Sequence, residues 1–359
     1  LIYNTDTKLP EYWNGSGWYS MGPTSGNGFI TEWRTTAVNE TITLPLNNGN
    51  GAAFNCTVYW GDGTSSTITA YDDPDRIHTY SVADDYQVEI VGTCEGWSFN
   101  DGGDKLKIID IIDWGNSCAF DGFKYLKNGF IGCSNLSSLA SGSIPASGNG
   151  CLNFYRTFQS TPITTIPAGL FDNHVMVTDS AFYNTFAFCS SLTAIPPGLF
   201  DNNTLAAIRG FHSTFYTCTP LTSIPTGLFD HNTLVSVDGF FNCFCYCRNI
   251  TSVPEGLFRY NTLVSGVGFY QTFYDCRNLH LNRNIFFADG EENTRFLNIS
   301  VSFYRCFYRN SYSGPIGEAP ILWLCDYGTG SVTGTRCYDG GGNSTSSLSN
   351  YDIIPASWK

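Results

Sequence analysis

Hydrophobic residues in the central part of the chain recur with a period of 28 or 29 residues. Three successive segments, FYNTFAFCSSLTAIPPGLFDNNT, FHSTFYTCTPLTSIPTGLFDHNT and FFNCFCYCRNITSVPEGLFRYNT, begin at Phe182, Phe211 and Phe240. The central aromatic residue of each repeat is found at Phe130, Phe158, Phe186, Phe215, Phe244 and Phe273, with a more distant copy at Phe307. Since one repeat cannot bury its own apolar face, we expect the repeats to stack in register around a continuous core.

Each repeat combines segments of different periodicity. The spacing F-x3-F-x2-C places Phe182, Phe186 and Cys189 on one stripe of a short helix. The L-T-x-I-P segment that follows is short and apolar, and its proline prevents it from continuing. The phrase P-x-G-L-F-D-x-N-T then turns the chain and returns leucine and phenylalanine to the core. The pattern therefore predicts a β-rich α/β structure with a short helix in each repeat.

The residues before the repeats follow a strand pattern. Apolar and polar positions alternate in Thr57–Trp60 and in Tyr86–Ile90, which predicts two β-strands. Gly61-Asp62-Gly63 is a strong turn signal after the first of them.

The N-terminal segment predicts a hairpin of its own. The phrases Y-N-T-x-T and Y-W-N-G-S-G-W include Asn14-Gly15, a dipeptide typical of hairpin turns. Leu1, Ile2 and Tyr3 are apolar and strand-like, with no evident core partner nearby in the sequence. We expect residues 1–8 to dock on an open sheet edge of a neighbouring copy, the alternative being that they fold back on their own chain.

Several of these phrases resemble known families. The steps I-P-x-G-L-F-D and F-x2-C-x2-L-T-x-I-P, over about 130–286, resemble leucine-rich-repeat surface proteins of the BspA-like bacterial type. W-G-D-G-T followed by H-T-Y and D-Y-x-V-x-I, over about 29–94, resembles the β-sandwich of polycystic-kidney-disease (PKD) domains. The first 22 residues resemble a hairpin motif of phage fibres and surface proteins.

The resemblance implies a PKD-like β-sandwich followed by a leucine-rich-repeat-like solenoid with a period of 28–29 residues and a C-terminal cap. The expected boundaries are 1–27 for an N-terminal assembly hairpin, 28–98 for the β-sandwich, 99–128 for a connector and solenoid cap, 129–310 for the solenoid, and 311–359 for the C-terminal cap. The resemblance also implies an extracellular protein that adheres to surfaces or assembles.

Composition narrows the function. The chain has 359 residues, with 18 basic and 31 acidic side chains and a net charge of −13. This charge argues against nucleic acid and against anionic membrane surfaces as partners. Apolar runs are far shorter than the ~18 residues that span a bilayer. Fourteen cysteines favour an oxidising compartment, so we expect a secreted or cell-surface protein.

The cysteines fall into two groups. Antiparallel strands over Asn55–Trp60 and Tyr86–Cys94 would bring Cys56 and Cys94 together, and Cys325 and Cys337 would close a glycine-containing loop, so we predict two disulfides. One repeat position carries cysteine at Cys133, Cys189, Cys218, Cys247 and Cys276. Helices pack ~8–10 Å apart, too far for a bond, so this column is predicted to remain as thiols, whereas an extended segment would allow bonding.

The sequence contains no recognisable catalytic constellation. It has five histidines and none of the motifs H-E-x-x-H, G-x-S-x-G or the P-loop, so we expect no enzymatic activity and no cofactor. Asp62, Asp72, Asp73 and Asp75 are weak candidates for Ca²⁺ ligands, although aspartate also favours turns on its own account. We favour solvated turns and predict no metal site.

Two kinds of surface feature remain. One column of repeat positions carries aromatic rings at Tyr183, Phe241, Tyr270 and Tyr304. It predicts either an exposed strip that binds sugars or proteins, or packing between repeats. Acceptor sequences for N-glycosylation occur at Asn14, Asn39, Asn55, Asn135, Asn202, Asn249, Asn298 and Asn343.

Three functions fit these observations. The first is a non-enzymatic structural or adhesive subunit of an extracellular appendage or filament, a homo-oligomer joined through the N-terminal segment. The second is a phage tail-fibre or receptor-binding protein, located in a virion. The third is a monomeric carbohydrate-binding surface module, whose ligand would be a glycan or a host surface. The size of the native protein distinguishes an assembling subunit from a monomer.

Overall fold

The computed structural model describes residues 27–115, 119–175, 177–309, 316–340 and 348–359 with their side chains, and the backbone of residues 2–4, 9–13, 18–20 and 347. Ten strands precede the repeats: β1 Ile2–Asn4, β2 Leu9–Trp13, β3 Trp18–Ser20, β4 Phe29–Arg34, β5 Glu40–Thr43, β6 Phe54–Tyr59, β7 Ser65–Ile68, β8 Ile77–Tyr80, β9 Asp85–Cys94 and β10 Ile108–Trp114. Five later strands have two residues each: β11 His280–Leu281, β12 Val301–Ser302, β13 Ile316–Gly317, β14 Val332–Thr333 and β15 Ser347–Leu348.

The strands before the repeats form three antiparallel sheets. β1, β2 and β3 pair in that order, so β2 and β3 form the predicted N-terminal hairpin. A five-stranded sheet has the order β10-β4-β9-β6-β7, and β5 pairs with β8. β6 and β9 lie where the alternation of the sequence predicts strands. β10 belongs to the expected connector 99–128, yet it lies beside β4 at the edge of the larger sheet.

The predicted fold class is wrong. The described ranges contain no α-helix, and their only helical segments are 3₁₀ turns at Gly49–Gly51, Pro74–Arg76, Leu322–Leu324, Tyr351–Ile353 and Ala356–Trp358. The strands fall into several small sheets, and between β10 and β11 the repeats contribute only isolated bridges. The structure is mostly sheet and loop, so a β-sandwich joined to a leucine-rich-repeat-like solenoid with helices is not what it shows.

The segment predicted to be helical is a series of turns bonded to the next repeat. The amides of Phe182 and Phe186 donate to the carbonyls of Gly210 and Thr214, at 2.8 and 2.9 Å. The amide of Thr185, between them, donates back three residues to the carbonyl of Phe182 at 3.2 Å. Every fourth residue has a positive φ, at Ser180, Asn184 and Phe188 in this repeat. This backbone binds its neighbour directly, which an α-helix cannot do because its amides are used internally.

Three stacks of phenylalanine rings form the core of the repeats. Their members are Phe130, Phe158, Phe186, Phe215, Phe244, Phe273 and Phe307; then Phe154, Phe182, Phe211, Phe240, Phe269 and Phe303; then Phe171, Phe200, Phe229, Phe258 and Phe286. In the first stack, neighbouring ring centroids are 5.4–5.7 Å apart and the rings are nearly parallel. Successive repeats are thus in close contact through their rings, and the backbone hydrogen bonds between repeats, not this spacing, exclude the predicted helices. We call the layers joined by these rings the repeat stack.

Candidate functional site

The predicted aromatic strip is a continuous stack of half-buried rings. Tyr155, Tyr183, His212, Phe241, Tyr270 and Tyr304 follow one another with centroid distances of 4.4–5.0 Å. Each inner ring therefore has both faces covered by its neighbours. Lys127 lies over the ring of Tyr155 at 4.8 Å and Arg305 over that of Tyr304 at 5.0 Å. Sugars stack on ring faces, so the geometry favours packing between repeats over an open binding strip.

A shallow hollow lies beside the far end of this aromatic stack. It has a volume of about 420 Å³ and includes the edges of Tyr270 and Tyr304. Four hydroxyl residues line it: Ser300, Ser302, Ser331 and Thr333. Ser300 Oγ accepts the amide of Ser331 at 3.1 Å, and Ser302 Oγ accepts the amide of Tyr304 at 3.3 Å. The hollow therefore presents neutral hydrogen-bonding groups next to ring edges, which suits a small polar ligand.

A column of buried asparagines joins successive repeats, and the sequence analysis missed it. Asn232 Nδ2 donates to the carbonyls of Phe200 and Asn203 in the preceding repeat, at 3.0 and 3.1 Å. Asn203 and Asn261 make the same pair of bonds, to the corresponding carbonyls of their own preceding repeats. In the sequence these residues resemble turn asparagines, and only their recurrence at a fixed position, three residues after the F of G-L-F, could have indicated burial.

The cysteine column makes equivalent contacts with sulfur. Cys189, Cys218, Cys247 and Cys276 donate their thiols to carbonyls of the preceding repeat at 3.0–3.2 Å. All are buried free thiols. Burial raises the pKa of Cys189 to about 12, because an apolar surrounding disfavours the thiolate. The reason given above for their state, a helix, is wrong; the thiols are instead engaged by carbonyl acceptors.

The four cysteines predicted to form disulfides are also free thiols. Cys56 and Cys94 lie on adjacent strands, two residues out of register, and the Cys56 thiol contributes to a raised pKa of Cys94 by hydrogen bonding. Cys325 points to the carbonyl of Ile321 at 3.9 Å. Cys337 lies instead next to Cys306, whose thiol pKa it helps to raise after burial. The structure thus brings the first predicted pair together but places Cys337 with a different cysteine.

The acidic Ca²⁺ candidates are engaged within turns. Asp62 accepts from His78 at 2.7 Å and from Thr64, and these hydrogen bonds lower its pKa to about 2 against the opposing effect of burial. Asp73 caps the 3₁₀ turn Pro74–Arg76 by accepting the amide of Asp75, and Asp72 is exposed. Within the described ranges, no group of three or more His, Cys, Asp or Glu side chains could hold a metal.

Two buried or half-buried histidines have strongly lowered pKa values. His174 stands at the head of the asparagine column, where its Nδ1 accepts the amide of Cys151 at 2.9 Å. Burial lowers its pKa to about 4. His212 is the imidazole of the aromatic stack, and burial followed by the nearby Arg209 lowers its pKa to about 4 as well. Both rings are therefore neutral near pH 7 and act as packing groups.

The remaining predicted sites lie at the surface or outside the described residues. Leu1 is outside them; Ile2 and Tyr3 belong to β1, whose backbone pairs with β2 of the same chain. Among the sequons, Asn14 and Asn343 are outside them. The others are all exposed: Asn39, Asn55, Asn135, Asn202, Asn249 and Asn298. Glycosylation at these six positions meets no steric obstacle from burial.

Comparisons with known proteins do not identify the chain. No family model matches it, and no curated protein matches it at a significant level. The resemblances noted in the sequence thus have no independent support. No helix in the described ranges is long and apolar enough to cross a bilayer.

Proposed function

We propose that the chain is a non-enzymatic extracellular protein with a structural or adhesive role, and that it is a self-assembling subunit of a surface appendage or filament. The observation that supports this most is the repeat stack. Its rings, asparagines and thiols are engaged in joining one repeat to the next. Because these buried groups bond to the neighbouring repeat, we infer that the repeats form a rigid scaffold and that the function is carried by surface residues.

Assembly through the N-terminal segment is the form of this proposal that can be tested first. β1 occupies one edge of its three-stranded sheet, and an edge strand readily accepts another strand. Sedimentation velocity on the intact chain should show association that increases with concentration. A variant lacking residues 1–8 should remain folded, by circular dichroism, and monomeric. An intact chain that stays monomeric at the highest attainable concentration contradicts the proposal.

The hollow supports a second candidate function, binding of a neutral oligosaccharide. Its hydroxyls can replace the water around sugar hydroxyls, and the edges of Tyr270 and Tyr304 contribute apolar surface. The double variant S331A/T333A should weaken binding by about tenfold or more, at roughly 1 kcal/mol for each lost hydrogen bond. The control T204A/T262A removes two exposed hydroxyls from turns of other repeats. Equal affinities of both double variants on a glycan array would reject this site.

A further inference from the structure

The charge of this chain is unevenly distributed. Residues 27–115 carry fourteen acidic and four basic side chains, a net charge of −10, out of −13 for the whole chain. Residues 119–309 carry eleven of each and are neutral. The acidic character of the protein therefore belongs to the sheets that precede the repeats. The repeats are neutral overall, so arginines that cluster in them can form a local positive patch.

Four of these arginines lie close to Arg336, where the last repeats meet the C-terminal residues. We call the five residues the arginine edge: Arg248, Arg277, Arg305, Arg309 and Arg336. The buried Asp275 forms an ion pair with each of two arginines, through Arg248 Nη2 and Arg277 Nε, both at 3.0 Å from its carboxylate oxygens. The two arginine side chains are still 43% and 42% exposed. This pair retains exposed donors beyond those that the single carboxylate engages.

Arg305 and Arg336 occupy equivalent positions in adjacent layers. Both lie over the ring of Tyr308, at 5.2 and 5.0 Å. Arg336 also pairs with Asp339 at 2.7 Å, whereas Arg305 has no carboxylate within ion-pair distance in the described part of the chain. The rings hold the two guanidinium groups in place, so little side-chain entropy is lost when they bind an anion. Arg309 is 9% exposed and its Nη2 donates to the carbonyl of Arg277, so it supports the edge from beneath. The other four arginines carry the exposed positive charge, against the carboxylates of Asp275 and Asp339.

A complementary acidic feature lies on the five-stranded sheet. Glu32 on β4 and Asp110 on β10 are directly opposite each other across the two strands. Like charges in this position destabilise a sheet. The pKa of Glu32 is raised, first by burial and then by Asp85 and Asp110. Asp85 is held by Arg34 in a two-pronged ion pair, but no cation within the described residues lies at ion-pair distance from Glu32 or Asp110.

We propose that the arginine edge of one molecule docks on the Glu32–Asp110 face of a second copy of this chain. The partner is a second copy because the same chain carries both surfaces. Among the described residues, Arg305 has no carboxylate at ion-pair distance, and Glu32 and Asp110 have no cation at that distance. Such a contact is head to tail and leaves a free surface of each kind at the two ends, so it propagates into a ring or a filament. This inference rests on the proposed self-assembly and assigns to it a second contact, which acts together with the N-terminal segment, so that loss of either contact leaves a monomer.

The test uses the intact chain in sedimentation velocity at low and high salt. Charge pairing weakens as the Debye length falls from ~10 Å at 0.1 M to ~3 Å at 1 M salt. Association of the wild type should therefore decrease sharply with salt, and R305Q/R336Q should abolish it at low salt. The control R209Q/R283Q removes the same charge from arginines outside the edge and should leave association unchanged. Equal loss in both double variants would mean that net charge alone is responsible, which overturns the proposal.

The acidic side provides an independent test. E32Q/D110N should lose association while its melting temperature rises, because the repulsion across β4 and β10 is relieved. The control D72N/D75N removes two exposed charges from a turn and should change neither property. Mixing E32R/D110R with R305E/R336E, each monomeric alone, should restore association between the two.

Three outcomes separate this inference from the proposed function. If the wild type associates but R305Q/R336Q does so equally, the docking contact is wrong and assembly stands. If the wild type is monomeric at low salt, both fail. If the monomer instead binds heparin, and R305Q/R336Q removes that binding, the edge is a site for an anionic polysaccharide and the second copy is excluded.

Discussion

Removing one carboxamide from the asparagine column tests the physical basis of the repeat stack. Asn232 is fully buried, and its Nδ2 supplies one hydrogen bond to each of two carbonyls in the preceding repeat. In N232A both bonds are lost. Each carbonyl keeps a second bond, because the amide of Asn203 reaches the Phe200 oxygen at 3.1 Å and the amide of Ala206 reaches the Asn203 oxygen at 3.2 Å. The cost is therefore that of two weakened acceptors, not of two orphaned ones.

The magnitude follows from these partners. Two lost bonds contribute about 1 kcal/mol each, and the small cavity adds to this. In the described part of the chain the Oδ1 of Asn232 has no hydrogen-bond partner, so its removal offsets a part of the loss. We expect N232A to lower the free energy of unfolding by about 2 kcal/mol. N232D keeps the shape but points a carboxylate at two carbonyl oxygens, so it should be much more destabilising at neutral pH.

Urea unfolding followed by circular dichroism measures both effects. The control T233A changes the neighbouring, exposed residue and should stay within about 0.5 kcal/mol of the wild type. If N232A is as stable as T233A, the column carries no stability. If N232D is as stable as N232A, the donor role assigned to the amide is refuted.

Three further predictions concern other buried groups. F215A removes a ring that lies between those of Phe186 and Phe244, and it should lower the free energy of unfolding by about 3–5 kcal/mol. A decrease below about 1 kcal/mol would contradict the assignment of the ring stacks as the core. The pKa of His174 is lowered from 6.5 to about 4, so the unfolded chain binds a proton that the folded chain does not, and stability should fall as pH drops from 6.5 to 4. Over this pH range the free energy of unfolding of H174N should fall by about 3 kcal/mol less than that of the wild type. Identical pH profiles of the two proteins would refute the burial of His174. Iodoacetamide should label Cys218 only after unfolding, because burial raises its pKa; labelling of the native protein, read by mass spectrometry, would show that the thiol is accessible.

The period of the sequence predicts which residues meet across repeats, but not the local structure of each repeat. A spacing of four residues between Phe182 and Phe186 is typical of one face of a helix. In this chain it arises because every fourth residue, as at Asn184 and Phe188, adopts a positive φ of 53° and 62° and restarts a turn. Both structures place the two rings on one side. Only the backbone hydrogen bonds distinguish them, and these depend on the neighbouring repeat, which a local pattern does not describe.

The strand predictions were more accurate because their signal is local. Alternation of side chains in β6 follows directly from the two faces of a sheet, because Cys56 and Val58 are buried and their neighbours are more exposed. In β9 the alternation of sequence marks the strand correctly, although Val88, Glu89 and Ile90 are all buried. The pairing of β10 with β4 could not be predicted in this way, because β10 follows β9 after a long connection and belongs to a segment that looks like a linker. The candidate sites suffered from the same limit: Asn232 looks like a turn residue, and the opposition of Glu32 and Asp110 requires the register of two distant strands.

The place where the sequence pattern degenerates shows what the repeats require physically. Asn203, Asn232 and Asn261 are 29 residues apart, but the next layer comes 34 residues later and has no asparagine at the position. Arg295 takes it, and its Nη2 donates to the carbonyls of Phe258 and Asn261 at 3.0 Å each. These are the same two acceptors, one repeat on, that Asn232 and Asn261 use. Burial lowers the pKa of Arg295 to about 10, which still leaves it charged near neutral pH. What the repeats require at this position is therefore a side-chain donor that reaches two carbonyls of the preceding layer, and not asparagine itself. Arginine, a longer side chain, supplies that donor in the layer where the chain has five extra residues.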